Sequence, residues 1–104
     1  MSEVDIEITW GRVVAENVDQ TFAGESVISG PARLLGWSLL ETTGAAIATV
    51  TFMSGQTIVG QSGIAAGLDD HFSLPQGGVK CPQGLQVGVV TGSFSGCVYV
   101  SYPS

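Results

Sequence analysis

The chain has 104 residues, enough for one domain, and 44% of them are hydrophobic, so a single core can form without a metal ion or a disulfide. Charged residues make up only 12% of the chain, about half of the roughly 25% that is usual in soluble domains. Because lysine and acidic residues are depleted from the cores of protein interfaces, we expect an oligomer or a docked subunit. The net charge of −6 argues against nucleic acid or an anionic membrane as a partner.

The negative charge is concentrated in the first quarter of the chain, where six acidic residues and a single arginine lie within 25 positions. Residues 1–24 therefore form either a solvated acidic edge or an arm that docks on a basic partner surface. The first ten positions lack the apolar stretch of a signal peptide, so we expect a protein made in a cytoplasm. The uncharged stretch from 42 to 68 is interrupted by glycines, which argues against a membrane span.

The N-terminal end shows a regular alternation of apolar and polar residues. Val4, Ile6, Ile8 and Trp10 alternate with acidic residues and Thr9, which is typical of a strand with one wet face. This strand is our candidate interface with another subunit or with a partner protein, formed by Val4, Asp5, Ile6, Glu7, Ile8 and Trp10.

Two shorter strands are predicted next. A bend at Gly11 leads into a candidate strand over 12–18, in which residues 13–16 are also compatible with a helical turn, and residues 17–24 have the composition of a loop. A short strand over 26–29 ends before Gly30 and Pro31.

The stretch 33–41 is the candidate centre of the core. Read with a period of two, one side of this strand carries Arg33, Leu35, Trp37, Leu39 and Glu41. Residues 42–46 supply turn chemistry, and residues 47–53 resume the strand pattern. We therefore predict that two long strands pair here as a hairpin.

The C-terminal half predicts short extended pieces, then a loop, then a closing hairpin. The pieces span 57–59, 64–66 and 71–74, and the loop spans 75–84. Gly92 and Ser93 divide the last two strands, which are 85–91 and 94–102. In the last strand one face carries Phe94, Gly96, Val98, Val100 and Tyr102, and the other carries Ser95, Cys97, Tyr99 and Ser101.

The predicted closing hairpin also bears on the two cysteines. Its register places Cys97 opposite Gly88, so Cys81 lies roughly 23 Å away at ~3.3 Å per residue. A disulfide needs Cα atoms within about 7 Å. We therefore expect free thiols.

Seven to nine short strands, frequent turn signals and no amphipathic helix pattern predict one all-β domain over residues 1–104. The expected architecture is an antiparallel β-sandwich with a jelly-roll topology.

The sequence offers little chemistry. His71 beside Asp69 and Asp70 is the one cluster of metal-ligand types, but consecutive strand residues point to opposite faces and cannot converge. We expect no metal, no cofactor and no catalytic residue, and hence no enzyme. His71 leaves open a pH-sensitive contact, and Tyr99 is the candidate exposed aromatic residue for contact with a sugar.

Three segments resemble small virion proteins of tailed bacteriophages. They are the strand Gly-Trp-Ser-Leu-Leu-Glu-Thr at 36–42, the turn Gly-Ala-Ala at 44–46, and the sequence at 84–100 that matches Gly-Leu-x-Val-x-Val-Val-x-Gly-x-x-x-Gly-x-Val-Tyr-Val. The similarity covers about residues 25–104 and contains no active-site motif.

This resemblance implies a jelly-roll subunit on the exterior of a phage capsid, either a decoration (cement) protein, a head fibre or a tail-associated module. Such proteins are commonly homotrimers, and a decoration protein has the major capsid protein as its partner. The resemblance supplies no functional residues. The alternative is a host-recognition module of a head fibre or tail that binds glycan.

Overall fold

The computed structural model describes residues 10–74 and 77–103 of the chain. Of the candidate interface residues only Trp10 is among these, and Val4, Asp5, Ile6, Glu7 and Ile8 lie outside the described residues. The strands are β1 (Trp10–Asp19), β2 (Ser26–Ile28), β3 (Ala32–Glu41), β4 (Ala48–Ser54), β5 (Thr57–Ile64), β6 (Asp69–Ser73), β7 (Val79–Cys81), β8 (Leu85–Thr91) and β9 (Phe94–Pro103). A 3-10 turn, Gln20–Phe22, follows β1.

The strands form two antiparallel sheets that pack face to face. Sheet A has the order β1-β9-β3-β6, with β7 also paired to β3, and sheet B has the order β2-β8-β4-β5. β6 and β7 pair with successive parts of β3, so together they act as one interrupted edge strand. Within the described ranges, no helix has the length and apolar character needed to cross a membrane.

The core lies between the sheets and confirms the predicted all-β sandwich. It is built from alternate positions of the longer strands, because successive side chains of a strand point to opposite faces. In β9, Phe94, Val98 and Val100 are fully buried, as the alternation predicts. The largest side chains that sheet B contributes are Phe52, Ile64 and Leu85.

The predicted face of β3 is wrong in its first half. The pairing with β9 shifts register between Leu34 and Gly36, so Leu35 is an extra residue in the ladder. Such a bulge inverts the alternation. Leu34 is fully buried and Leu35 is not, whereas Trp37 and Leu39 point into the core as expected.

Both predicted hairpins are wrong, because their strands lie in different sheets. β3 belongs to sheet A and β4 to sheet B, and the same holds for β9 and β8. The turns at 42–47 and 92–93 therefore connect the two sheets. Cys97 lies opposite Asn17 and Ser38, not opposite Gly88. Cys81 and Cys97 are both free thiols, although the register used to predict this was wrong.

Several predicted boundaries also change. β5 runs without a break through the position predicted to separate 57–59 from 64–66, and β6 begins two residues earlier than expected. β7 lies within the predicted loop at 75–84. β1 continues to Asp19, so the loop predicted from 17 begins later.

The two phenylalanines that pack on Trp37 allow a matched test of the core. Phe52 is fully buried and its ring lies 5.2 Å from that of Trp37, whereas Phe72 is 46% exposed at 5.1 Å. Phe52→Ala is expected to lower the free energy of unfolding by about 3–5 kcal/mol. Phe72→Ala should lower it by about 0.5–1.5 kcal/mol, because its burial is incomplete. Urea denaturation at one protein concentration measures both, and equal losses would contradict the assignment of Phe52 to the core.

Candidate functional surfaces

Sheet B carries no charged side chain. None of the residues in the described strands β2, β4, β5 and β8 is Asp, Glu, Lys, Arg or His. Its outward side, which we call the uncharged face, consists of Thr49, Thr51, Met53, Ile58, Gln61, Gln86, Val89 and Thr91. Val89 is 73% exposed and Ile58 is 55% exposed. Such a face loses little electrostatic solvation when another protein covers it.

The outward side of sheet A has charges graded along its length. Arg33 and Lys80 lie directly opposite each other at one end, in a row with Ser101 and Val13. Asp19 and Asp69 lie in the row at the other end. The two sheets therefore present surfaces of different character.

The loops beyond the acidic end of sheet A form an apolar surface. Ile47 and Leu68 are each 60% exposed, and they are flanked by exposed alanines at 45, 46, 65 and 66. We call loops 42–47 and 65–68 the apolar loop end. Exposed apolar patches of this kind often mark contacts with other proteins.

The buried carboxylate of Glu41 links the two loops of the apolar loop end by hydrogen bonds. Its side chain is only 3% exposed and accepts hydrogen bonds from the Thr43 N–H at 2.9 Å, the Gly44 N–H at 2.7 Å and the Gly67 N–H at 2.8 Å. The Thr43 hydroxyl donates a further bond to the same carboxylate. Together these bonds, led by that from the Thr43 hydroxyl, lower the pKa of Glu41 to about 2 despite the opposing effect of burial.

A polar cluster occupies the middle of the outward side of sheet A. The Ser38 Oγ lies 2.7 Å from the His71 Nδ1, and the His71 Nε2 lies 2.5 Å from the Asp69 Oδ2. Asp70 points the other way, where it accepts bonds from the Trp37 Nε1–H at 2.9 Å and from the Ser62 hydroxyl. The alternation therefore separates the two aspartates as predicted.

This cluster has the residue types of a catalytic triad, but it lacks the burial and the oxyanion hole that a triad needs. The His71 and Asp69 side chains are 67% and 54% exposed, so water competes for each bond. Ser38 lies on β3, an interior strand whose backbone N–H groups are used in the ladder and cannot form an oxyanion hole. Among the residues that the structure describes, no group of His, Cys, Asp and Glu is arranged to bind a metal ion. The exposed polar groups of the cluster can form hydrogen bonds with a ligand or a partner protein.

Tyr99 lies beside this cluster, on the outward side, where the alternation placed it. It is 37% exposed. Interaction with the Cys97 side chain raises the pKa of Tyr99, and a hydrogen bond with Ser38 opposes that shift. The ring is therefore accessible and surrounded by polar side chains.

An open groove lies at the other end of the sandwich, where the β4–β5 turn approaches β7. It has a volume of about 690 Å³ and is lined by Ser54, Gln56, Thr57, Val59, Lys80, Pro82 and Gln83. Since this lining contains no aromatic ring, the groove lacks a platform on which a sugar could stack.

Of the residues singled out from the sequence, Trp10 and Tyr99 are on sheet A and do not meet. Trp10 is half-buried, and the Arg33 guanidinium lies 4.5 Å from its ring centre. Sequence reasoning missed Glu41 and Ser38 as functional candidates. The Thr-Thr-Gly after Glu41 is a signal for a carboxylate that accepts backbone N–H bonds, whereas nothing local connects Ser38 to His71.

Comparison of the chain with protein-family models, curated proteins and solved structures finds no match.

Glu41 predicts a specific dependence of stability on pH. Its folded pKa of about 2 lies below the roughly 4.3 of an unfolded glutamate. Its contribution is therefore present above about pH 4.3 and is lost as the pH falls towards 2. Glu41→Gln should be less stable than the natural protein at pH 6, and the difference should shrink between pH 5 and 2.

Urea denaturation midpoints across this pH range measure that difference. Glu25→Gln, which removes an exposed carboxylate of the same type, controls for the change in net charge. A difference for Glu41→Gln that stays constant from pH 6 to 2 would refute the role of its ionised form.

Proposed function

We propose that this protein is a structural component of a bacteriophage virion, namely a capsid decoration protein that binds the outside of the head shell as an oligomer, most simply a homotrimer. The observation that carries the proposal is the absence of charge from the described strands of sheet B. A water-facing sheet normally has charged residues on its outward side, since these maintain solubility. An uncharged outward side fits a surface that another protein covers.

The exposed residues also fit a role in binding without chemistry. The uncharged face and the apolar loop end present threonine, glutamine, alanine and aliphatic side chains, which supply packing area and neutral hydrogen bonds. Contacts of this kind, repeated at symmetry-related sites on a shell, add up over the whole particle. In this proposal the protein needs rigidity and complementarity and has no catalytic role.

The strand order supports a jelly roll, the fold that the resemblance implies. The chain changes sheet after β1, β2, β3, β5, β7 and β8, and stays in one sheet after β4 and β6. If β6 and β7 count as one interrupted strand, eight strands fill two sheets of four. In each sheet a late strand lies between two early ones, β9 between β1 and β3 and β8 between β2 and β4, as Greek-key connections require.

Charge introduced on the uncharged face tests the proposal. Val89→Glu should weaken binding to head shells by roughly tenfold or more, because a carboxylate would be buried without a partner. Asn17→Glu, at an exposed position of β1 in sheet A, is the matched control and should bind normally.

The measurement is co-sedimentation of the purified chain with head shells assembled from the major capsid protein of the same genome. Failure of the natural protein to sediment with these shells would overturn the capsid function. Equal binding of Val89→Glu would overturn the role of the uncharged face.

A glycan-binding module of a head fibre or tail is the second candidate, and exposed Tyr99 beside Ser38 and His71 favours it. An aromatic ring can stack on a sugar while neighbouring polar groups bind its hydroxyls. In this case the chain should bind a glycan array, Tyr99→Ala should lose the signal, and Tyr99→Phe should retain it because the ring is kept. No binding by the natural protein would exclude this candidate.

A further inference from the structure

All the lysine and arginine residues of the chain lie at one end of sheet A. The sequence contains three, Arg12, Arg33 and Lys80. Arg33 is opposite Lys80 in β7 and opposite Ser101 in β9, and Ser101 is opposite Val13, the neighbour of Arg12. We call this the cationic end.

A negative charge placed beside Arg33 and Lys80 would relieve the repulsion between these two cationic side chains. Directly opposed residues in an antiparallel pair have Cβ atoms about 5 Å apart, and like charges there are destabilising. The Arg33 Nε is buried and has no hydrogen-bond partner within the described part of the chain.

The cationic end also offers a strand edge. β7 pairs with β3 on one side and, among the described residues, with no other strand. Edge strands accept additional strands through their backbone groups. In β7 the Lys80 side chain points outward, whereas Cys81 is buried and Val79 is half-buried.

The segment that precedes Trp10 has side chains that complement both the outward side and the core side of sheet A at this edge. Glu3, Asp5 and Glu7 alternate with Val4, Ile6 and Ile8. An extended strand beside β7 would place its acidic side chains next to Arg33 and Lys80. Its aliphatic side chains would then lie on the core side, with Val79 and Cys81.

Reach decides which copy of the chain supplies this strand. β1 and β7 are at opposite edges of sheet A, in the order β1-β9-β3-β7. A strand beyond β7 is therefore four strand spacings from β1, about 19 Å at ~4.8 Å each. Glu7 is three residues from Trp10 and can reach about 11 Å, and Asp5 about 18 Å. Asp5 and Glu7 therefore cannot reach that edge within their own chain, so a strand beside β7 that includes both must come from another copy.

We propose that residues 3–8 of one copy bind as an edge strand beside β7 of a second copy, with their acidic side chains against Arg33 and Lys80. Each copy then gives one strand and receives one, and such head-to-tail contacts close into a ring when the rotation between copies permits. The proposal rests on the self-association included in the proposed function, and it names the contact that produces it.

Charge reversal on both sides of the contact tests this arrangement. Lys80→Glu should raise the concentration at which copies dissociate by on the order of tenfold. The combined change Glu3→Lys, Asp5→Lys and Glu7→Lys should do the same. A chain carrying all four substitutions should partly regain the oligomer, because the charge at position 80 is exchanged with those of residues 3, 5 and 7 while Arg33 keeps its own. Asn17→Glu, on the same face of sheet A, should leave the association unchanged.

The measurement is size-exclusion chromatography with light scattering over a dilution series of the full-length 10.7 kDa chain. Far-UV circular dichroism checks that each variant is folded. Restored association in the fourfold variant supports the contact. A monomeric natural protein, an undisturbed Lys80→Glu oligomer, or no rescue by the fourfold variant each overturns it. Shell binding by the same samples is a separate readout, so the capsid function can fail while this contact holds, and the reverse.

Discussion

The fold depends on how Trp37 joins the two sheets. Trp37 belongs to β3 in sheet A, yet its ring lies 5.2 Å from that of Phe52 in sheet B, and its indole N–H donates to Asp70 on the edge strand β6. A Cβ atom on Gly60 of β5 would lie 2.7 Å from the ring, so that glycine makes the close approach possible. The single bulge at Leu35 makes this inward position compatible with a buried Leu34 earlier in the same strand.

The existence of most strands and the faces of the last one could be predicted from the sequence, because alternation is a local property. β8 begins and ends where predicted, and Phe94, Val98 and Val100 are buried as expected. Pairing could not be predicted, since a turn between two strands has the same composition whether it closes a hairpin or crosses between sheets. The bulge at Leu35 could not be predicted for a similar reason, because one additional apolar residue within an apolar stretch does not produce a recognisable change in the sequence pattern.

The surfaces were only partly predictable. Low charge indicated a covered surface and alternation placed Tyr99 outward. The grouping of the uncharged strands β2, β4, β5 and β8 into one sheet follows from the strand order, which composition does not specify. Strands with and without charged residues are interleaved along the chain, and all the described charged strands lie in sheet A, together with the uncharged β9. The two outward sides are separated by a core about 10 Å thick, so one can be covered by protein while the other stays in water.

Glu41 has a further consequence for the apolar loop end. The groups that donate hydrogen bonds to Glu41 and fix the two loops are neutral backbone N–H groups and a hydroxyl. Dissolved ions weaken attraction between exposed opposite charges, but they act much less on bonds made inside the protein. The shape of this end is therefore insulated from changes in the ionic medium, whereas the contact proposed for the cationic end would respond to them. One small domain thus combines the apolar loop end, whose shape is insensitive to salt concentration, with the cationic end, whose proposed contact salt would weaken.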